Sequence, residues 1–187
     1  MFWKRFFGSR PRDADAWPLY EAILVQARTP ALYREFGVPD SVDGRFEAIV
    51  LHVVLVLRRL KRDFPEGLDL AEALQEAFFE DMDRSLREMG AGDLGVGKRV
   101  KRMAEGFLGR LGAYDEALDK LPVSGDAGLR AVLQRNVFGT LPAGQGDAAG
   151  LAAYALAQLA ALEAQDGAAL RQGRVAFVDV PVGAEKG

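Results

Sequence analysis

Cysteine is absent from this 187-residue chain, and histidine occurs once, at His52. Without thiols there can be no disulfide, no thiol nucleophile and no Cys-ligated zinc or iron–sulfur centre. A single histidine also excludes a ferritin-like di-metal site, which draws Glu-x-x-His pairs from two helices. Long apolar runs are missing too. The longest, Ala48–Leu57 (AIVLHVVLVL), spans ten residues with the histidine inside it, whereas a membrane span takes about 20. The opening MFWKRFFGSR lacks an apolar core followed by a small-residue cleavage site, so no secretory signal is expected. Net positive charge is absent: the balance is −3, which argues against general nucleic-acid affinity.

What the chain does have is helical periodicity, with 49% apolar residues to build a core. Phe2, Trp3, Phe6 and Phe7 fall on one helical face opposite Lys4 and Arg5. Rings facing one way and cations the other suit a membrane surface. A loop over 9–16 then leads to an N-cap at Asp13 or Asp15. The spacing of Trp17, Tyr20, Ile23, Leu24 and Ala27 predicts a helix over 16–28. Thr29-Pro30 reads as the start of a short helix stopped by Gly37, and Ser41 or Asp43 caps the next, over 43–62. That helix is apolar nearly all round, so it belongs at the centre.

Further stripes predict helices over 68–89 and 96–112, a continuation over 113–121 after a break at Gly112, and helices over 126–138 and 147–162. RVAFVDVPV (174–182) has weak strand character and no partner strand, so it reads as an extended tail laid along the bundle. The sum is an all-α, single-domain multi-helix bundle with an extended C-terminal tail. Its parts are an N-terminal segment over 1–15, a helical domain over 16–175 and the tail over 176–187.

Two phosphate-binding patterns can be laid on the glycine-rich stretch 90–98. Gly90, Gly92 and Gly95 spell G-x-G-x-x-G. That fingerprint works between a strand and a helix, and here a helix precedes it. GDLGVGK (92–98) matches the start of a P-loop, but Arg99 stands where a magnesium-binding Ser or Thr is required. Neither nucleotide reading survives. What remains is a corner followed by Lys98, Arg99, Lys101 and Arg102, preceded by a segment over 63–93 with ten acids and two bases. Cations at a helix N-terminus oppose its dipole, so they call for a partner charge. The nearby acids are the first choice, and such surface pairs are weak enough to exchange for those of another protein.

Glu72, Glu76, Glu80 and Asp83 share one helical face and read as a solvated acidic surface. His52 reads as a core or groove histidine hydrogen-bonded to a neighbouring acid, Glu47 being near in sequence. A second reading makes the chain a helical small-molecule, quinone or lipid binder, with an apolar pocket around the 43–62 helix and His52 as its polar contact. An Asp/Glu- or Lys-based enzyme is a third.

VPDSVDGRFEAIVLHVVLVLRRL (38–60) and FFEDMDRSLREMGAGDLGVGKRVKRMAEGFLGRLGAYDEAL (78–118), with LQRNVFGT and LAAYALAQLAAL further on, resemble the ubiquinol–cytochrome c chaperone family over about residues 30 to 175. The resemblance implies an assembly chaperone for the cytochrome bc1 complex, without enzymatic activity or cofactor. Mitochondrial members bind newly made cytochrome b and work beside the ribosomal tunnel exit with a small partner protein. Carried over, this implies a chain that binds cytochrome b in the cytoplasm, on the inner face of the membrane. The residues expected to meet a partner protein are Asp81, Asp83, Arg84, Arg87, Asp93, Lys98, Arg99, Lys101 and Arg102, as a polar rim beside an apolar groove to which His52 could contribute.

Overall fold

A computed structural model describes residues 13–63, 65–88, 93–142 and 144–182. Over these residues the chain is all helix and connection: α1 (Asp13–Ala27), α2 (Pro30–Glu35), α3 (Val42–Arg62), α4 (Leu68–Glu88), α5 (Asp93–Asp119), α6 (Leu121–Ser124), α7 (Ala127–Asn136), α8 (Ala148–Ala164) and α9 (Gly167–Leu170).

The centre is α3. Ser41 caps it, its hydroxyl accepting from the Gly44 amide at 3.1 Å, which satisfies one of the amides a helix start leaves unpaired. Val50 to Leu57 are buried without interruption. That stretch makes more than two turns, so every face of it is covered. The cover comes from α1 and α4 on one side, α8 on another and α5 along a third. Helix α7 joins α5 to α8 and closes the bundle. The α2–α8 junction is tight: the Asp147 amide donates to the Phe36 carbonyl at 2.8 Å. Gly146 makes the turn into α8 at φ +81, with the Phe138 ring where a Cβ would stand.

Two local expectations need correction. Helix α1 already includes Asp13 and Asp15, so neither stands before it as the cap. Helix α5 begins at Asp93, which puts Gly95 and Gly97 in its first turns, and it runs unbroken through Gly112. Glycine interrupts a helix only when nothing compensates the ~1 kcal/mol it costs relative to alanine. Here Phe107, Tyr114, Ala117 and Leu118 continue one buried stripe across the glycine. Between α8 and the tail stands α9, a single turn capped by Asp166, whose carboxylate accepts from the Ala168 amide at 3.1 Å.

Candidate functional site

Among the described residues, the most connected polar structure lies where α1, α3 and α8 meet the C-terminal tail. His52 is fully buried on α3. Its Nδ1 lies 2.7 Å from the Ala48 carbonyl and its Nε2 2.8 Å from the Tyr154 hydroxyl on α8. A carbonyl can only accept, so Nδ1 carries the proton and Nε2 accepts from Tyr154. Burial drives the His52 pKa down from 6.5 to about 4, outweighing the Ala48 bond that would raise it; the ring is neutral at physiological pH. The expected acidic partner is therefore wrong. Glu47 turns away to Arg110 on α5, whose Nε lies 2.7 and 2.8 Å from its two carboxylate oxygens. With both ring nitrogens occupied, His52 has no atom left to meet a small ligand.

The chain of bonds continues to the tail. Gln26 of α1 donates one Nε2 proton to the Tyr154 oxygen at 2.8 Å and the other to the Val178 carbonyl at 3.0 Å. Gln158, wholly buried on α8, takes both main-chain groups of Val178. Its amide donates to the carbonyl at 2.7 Å, and its oxygen accepts from the Val178 amide at 2.9 Å. Two helical turns on, Gln165 does the same for Ala176, at 2.7 and 2.8 Å. The Phe177 ring meets His52 edge-on at 5.7 Å, and Val180 is buried. Residues 174–182 therefore lie extended along the bundle. Sequence reading missed the glutamines. The signal was there: Gln158 stands on the stripe Leu151, Ala155, Leu162, where every other member is apolar.

The charged corner faces elsewhere. Asp81 accepts the Tyr20 hydroxyl of α1 at 2.9 Å and lies 3.6 Å from Arg84. Asp83 pairs with Arg87 at 2.7 Å, and the Arg84 guanidinium stacks over the Trp17 ring at 5.3 Å. Burial and then the Asp81 charge push the Tyr20 phenol pKa up, so it stays a donor. Arg102 is exposed. The side chains of Asp93, Lys98, Arg99 and Lys101 lie outside the described residues, as do Phe2, Trp3, Phe6 and Phe7. Below this charge layer runs a seam of rings. Phe78 packs on Phe107 at 4.9 Å and on Phe79 at 5.2 Å, and Phe79 meets Phe107 at 5.5 Å. Phe78 and Phe107 are fully buried, while Trp17, Phe46, Phe79 and Met103 are only half covered. Arg110 closes one end, over Phe46 at 5.5 Å.

Among the described residues no group of His, Asp and Glu is placed to hold a metal ion, and no helix is long and apolar enough to cross a membrane. An open cleft of about 410 Å³ lies between Arg28, Tyr33, Arg34 and Arg45, and Arg45 there is paired with Asp40 at 2.7 Å.

Fold and site together define an all-α protein whose most elaborate hydrogen bonding is spent on a peptide main chain. The family model described as ubiquinol-cytochrome C chaperone matches residues 34–177, and the chain belongs to that family. It is similar to the ubiquinol-cytochrome c reductase complex assembly factor 1 of Mus musculus, 26% identical over 120 residues, covering 64% of this chain and 39% of that protein. The Xenopus laevis protein of the same description is 25% identical over 120 residues, covering 64% of this chain and 58% of that one. The chain thus spans between 39% and 58% of the length of these two relatives. The crystal structure of the Cbp3 homolog from Brucella abortus matches with a TM-score of 0.78 and 39% identity, over 90% of this chain and 91% of that one.

Proposed function

We propose that this protein is a non-catalytic assembly chaperone that binds cytochrome b, or a segment of it, during biogenesis of the ubiquinol–cytochrome c reductase complex. Family membership supplies the class, and the relatives are themselves named for assembly of that complex. The observation that carries the reading to a surface is the ring seam between α4 and α5. Half-covered Trp17, Phe46, Phe79 and Met103 offer apolar contact, and charged side chains stack on its edges at Arg84 and Arg110. An apolar strip with a charged margin is the usual anatomy of a protein-binding patch, where aromatic residues and arginine concentrate.

In this reading Asp81, Asp83, Arg84, Arg87, Asp93, Lys98, Arg99, Lys101 and Arg102 form the polar rim. The pair Asp83–Arg87 and the Arg84 partner of the mostly covered Asp81 lie on exposed helix surface, where such a pair is worth well under ~1 kcal/mol and can be traded for a client's charges. Work at the inner face of the membrane fits a client that is itself a membrane protein, with Phe2, Trp3, Phe6 and Phe7 providing surface contact. Reversing Lys98, Arg99, Lys101 and Arg102 to Glu should cut recovery of cytochrome b with the tagged protein while circular dichroism stays helical. Normal bc1 levels in cells carrying only that variant would overturn the assignment.

A further inference from the structure

Arg28 just past the end of α1, Arg34 on α2 and Arg45 near the start of α3 stand around one open cleft with Pro30, Tyr33 and Asp40. Arg45 is paired to Asp40 at 2.7 Å, and both partners are exposed. The guanidinium groups of Arg28 and Arg34 have no hydrogen bond or ion pair among the described residues. Three cations against one carboxylate leave the cleft a net charge of +2, in a chain whose balance is −3. Of the other acids close by in sequence, Asp43 stands on the side of α3 where its charge acts on Glu47 and Arg110. Glu21 lies seven residues before Arg28, about 10.5 Å along the helix, and screening leaves little between exposed charges at that range. Glu35 has an interaction of its own.

Aliphatic side chains flank the cleft. Val25 and Val42 are 74% and 68% exposed, and among the large apolar residues described only Val123 is more so. Each stands three residues before one of the arginines, Val25 before Arg28 and Val42 before Arg45, so helical geometry sets it on the same side as that arginine. Tyr33 lines the cleft with a half-buried ring, and its hydroxyl already donates to the Ala27 carbonyl at 2.9 Å. The donors on offer are therefore the guanidinium groups, whose forks suit phosphate oxygens. A free phosphate would use these cations and leave both valines in water. The valines also stand outside the cleft lining, which suits a fluid surface better than a peptide seated within. Cations that pair with anionic headgroups, beside aliphatic groups that enter the boundary below them, are the anatomy of a membrane-surface contact.

We propose that the corner formed by the end of α1, α2 and the start of α3 is a binding site for the phosphate headgroups of anionic phospholipids, with Arg28, Arg34 and Arg45 holding the headgroups and Val25 and Val42 entering the bilayer surface. The exposed Asp40 pair is weak enough to release Arg45 to a lipid phosphate. This deepens the reading of work at a membrane face and rests on it, but not on the identity of the client.

The test is sedimentation of the full chain with vesicles of phosphatidylglycerol and phosphatidylcholine in equal parts, against vesicles of phosphatidylcholine alone. A cation at an anionic surface contributes about fivefold to binding, so Arg28→Gln with Arg34→Gln should weaken binding to the anionic vesicles at least about tenfold. Arg28→Lys with Arg34→Lys keeps both charges and should stay close to the unaltered chain. Val25→Ser with Val42→Ser should weaken binding by about threefold or more. No preference for the anionic vesicles, or binding that survives the glutamine pair, overturns the proposal and leaves any membrane contact to other residues. Vesicle binding indifferent to the valine change and displaced by soluble glycerol phosphate would make the ligand a free phosphate, and the lipid assignment fails. Recovery of cytochrome b from detergent-solubilised membranes, where no bilayer remains, separates this site from the client surface. The glutamine pair should recover it in full. A loss there with vesicle binding unchanged would make the cleft a protein contact and overturn the proposal. A chain that recovers no cytochrome b, yet needs Arg28 and Arg34 for the vesicles, would lose its client assignment and keep this site.

Discussion

Tyr154 gives its hydroxyl proton to Nε2 of His52 across 2.8 Å, joining two helices whose partners stand 102 residues apart. The bond has this direction only while the imidazole is neutral, because a protonated Nε2 would itself donate and the hydroxyl proton would have to turn elsewhere.

The consequence is a pH dependence of known sign. The pKa of His52 is about 4 in the folded protein against an ordinary 6.5, so over that window the unfolded chain holds the extra proton. The contribution of this group to stability must therefore rise with pH from about 4 to 6.5 and gain nothing further above it. His52→Gln removes the titration. The stability difference between the two proteins should change by at most about 1.4 kcal/mol per pH unit across the window, measured by urea denaturation. Parallel curves would show that the ring is not buried neutral.

Arg59 of α3 is 5% exposed and stitches α3 to the end of α8: Nε donates to the Leu162 carbonyl and a terminal nitrogen to the Gln165 carbonyl, both at 3.0 Å, and the other pairs with Asp63 at 2.6 Å. Arg59→Leu leaves the Gln165 carbonyl without its donor and removes one of two partners from the Leu162 carbonyl and from Asp63, which keep the Gln165 amide and Arg171, so it should cost about 2–3 kcal/mol. Lysine has one charged group where the fork supplied three bonds, so Arg59→Lys should recover only part. Equal denaturation midpoints for Arg59→Leu and the unaltered chain would contradict this role.

Glu47 is 3% exposed, and burial raises its pKa even though Arg110 acts to lower it. Arg110→Met leaves that carboxylate without its cation and should cost about 3–5 kcal/mol, whereas the double variant Glu47→Leu with Arg110→Met should restore most of the loss. A double variant no more stable than Arg110→Met alone would show that the loss came from the missing pair itself rather than from an uncompensated buried charge.

Gly109 and Gly112 are helical, and an added Cβ at either meets nothing within 4 Å. Each change to alanine should stabilise by about 0.5–1 kcal/mol and raise the thermal midpoint by about 1–4 °C. Gly146, at φ +81 with the Phe138 ring where a Cβ would go, should respond the opposite way. A fall in midpoint for Gly112→Ala would mean that α5 needs a flexible point there.

These contrasts show why parts of the structure were legible in the chain and others were not. Helix α3 could be read because Ala48–Leu57 is apolar on all sides and Ser41 is a capping residue at the right place, both local properties. Gly112 misled because helix propensity was weighed without the stripe that carries Phe107 to Leu118 past it. The local pairs of the charged corner, Asp83 with Arg87 and Asp81 with Arg84, follow from spacing alone. Tyr20 on Asp81 and Arg84 over Trp17 do not, since they depend on how α1 crosses α4. Likewise the tail announced its extended form, but nothing near it in sequence named Gln26, Gln158 and Gln165 as what it lies against.

The most direct test of the functional assignment is affinity recovery of the tagged full chain from solubilised membranes of cells assembling the bc1 complex. Cytochrome b should come with it, at levels cut at least about tenfold when Lys98, Arg99, Lys101 and Arg102 are reversed, a drop that losing a few charged contacts would produce. A folded, tagged protein that recovers no cytochrome b, from cells whose bc1 complex is normal when the protein is removed, would contradict the account.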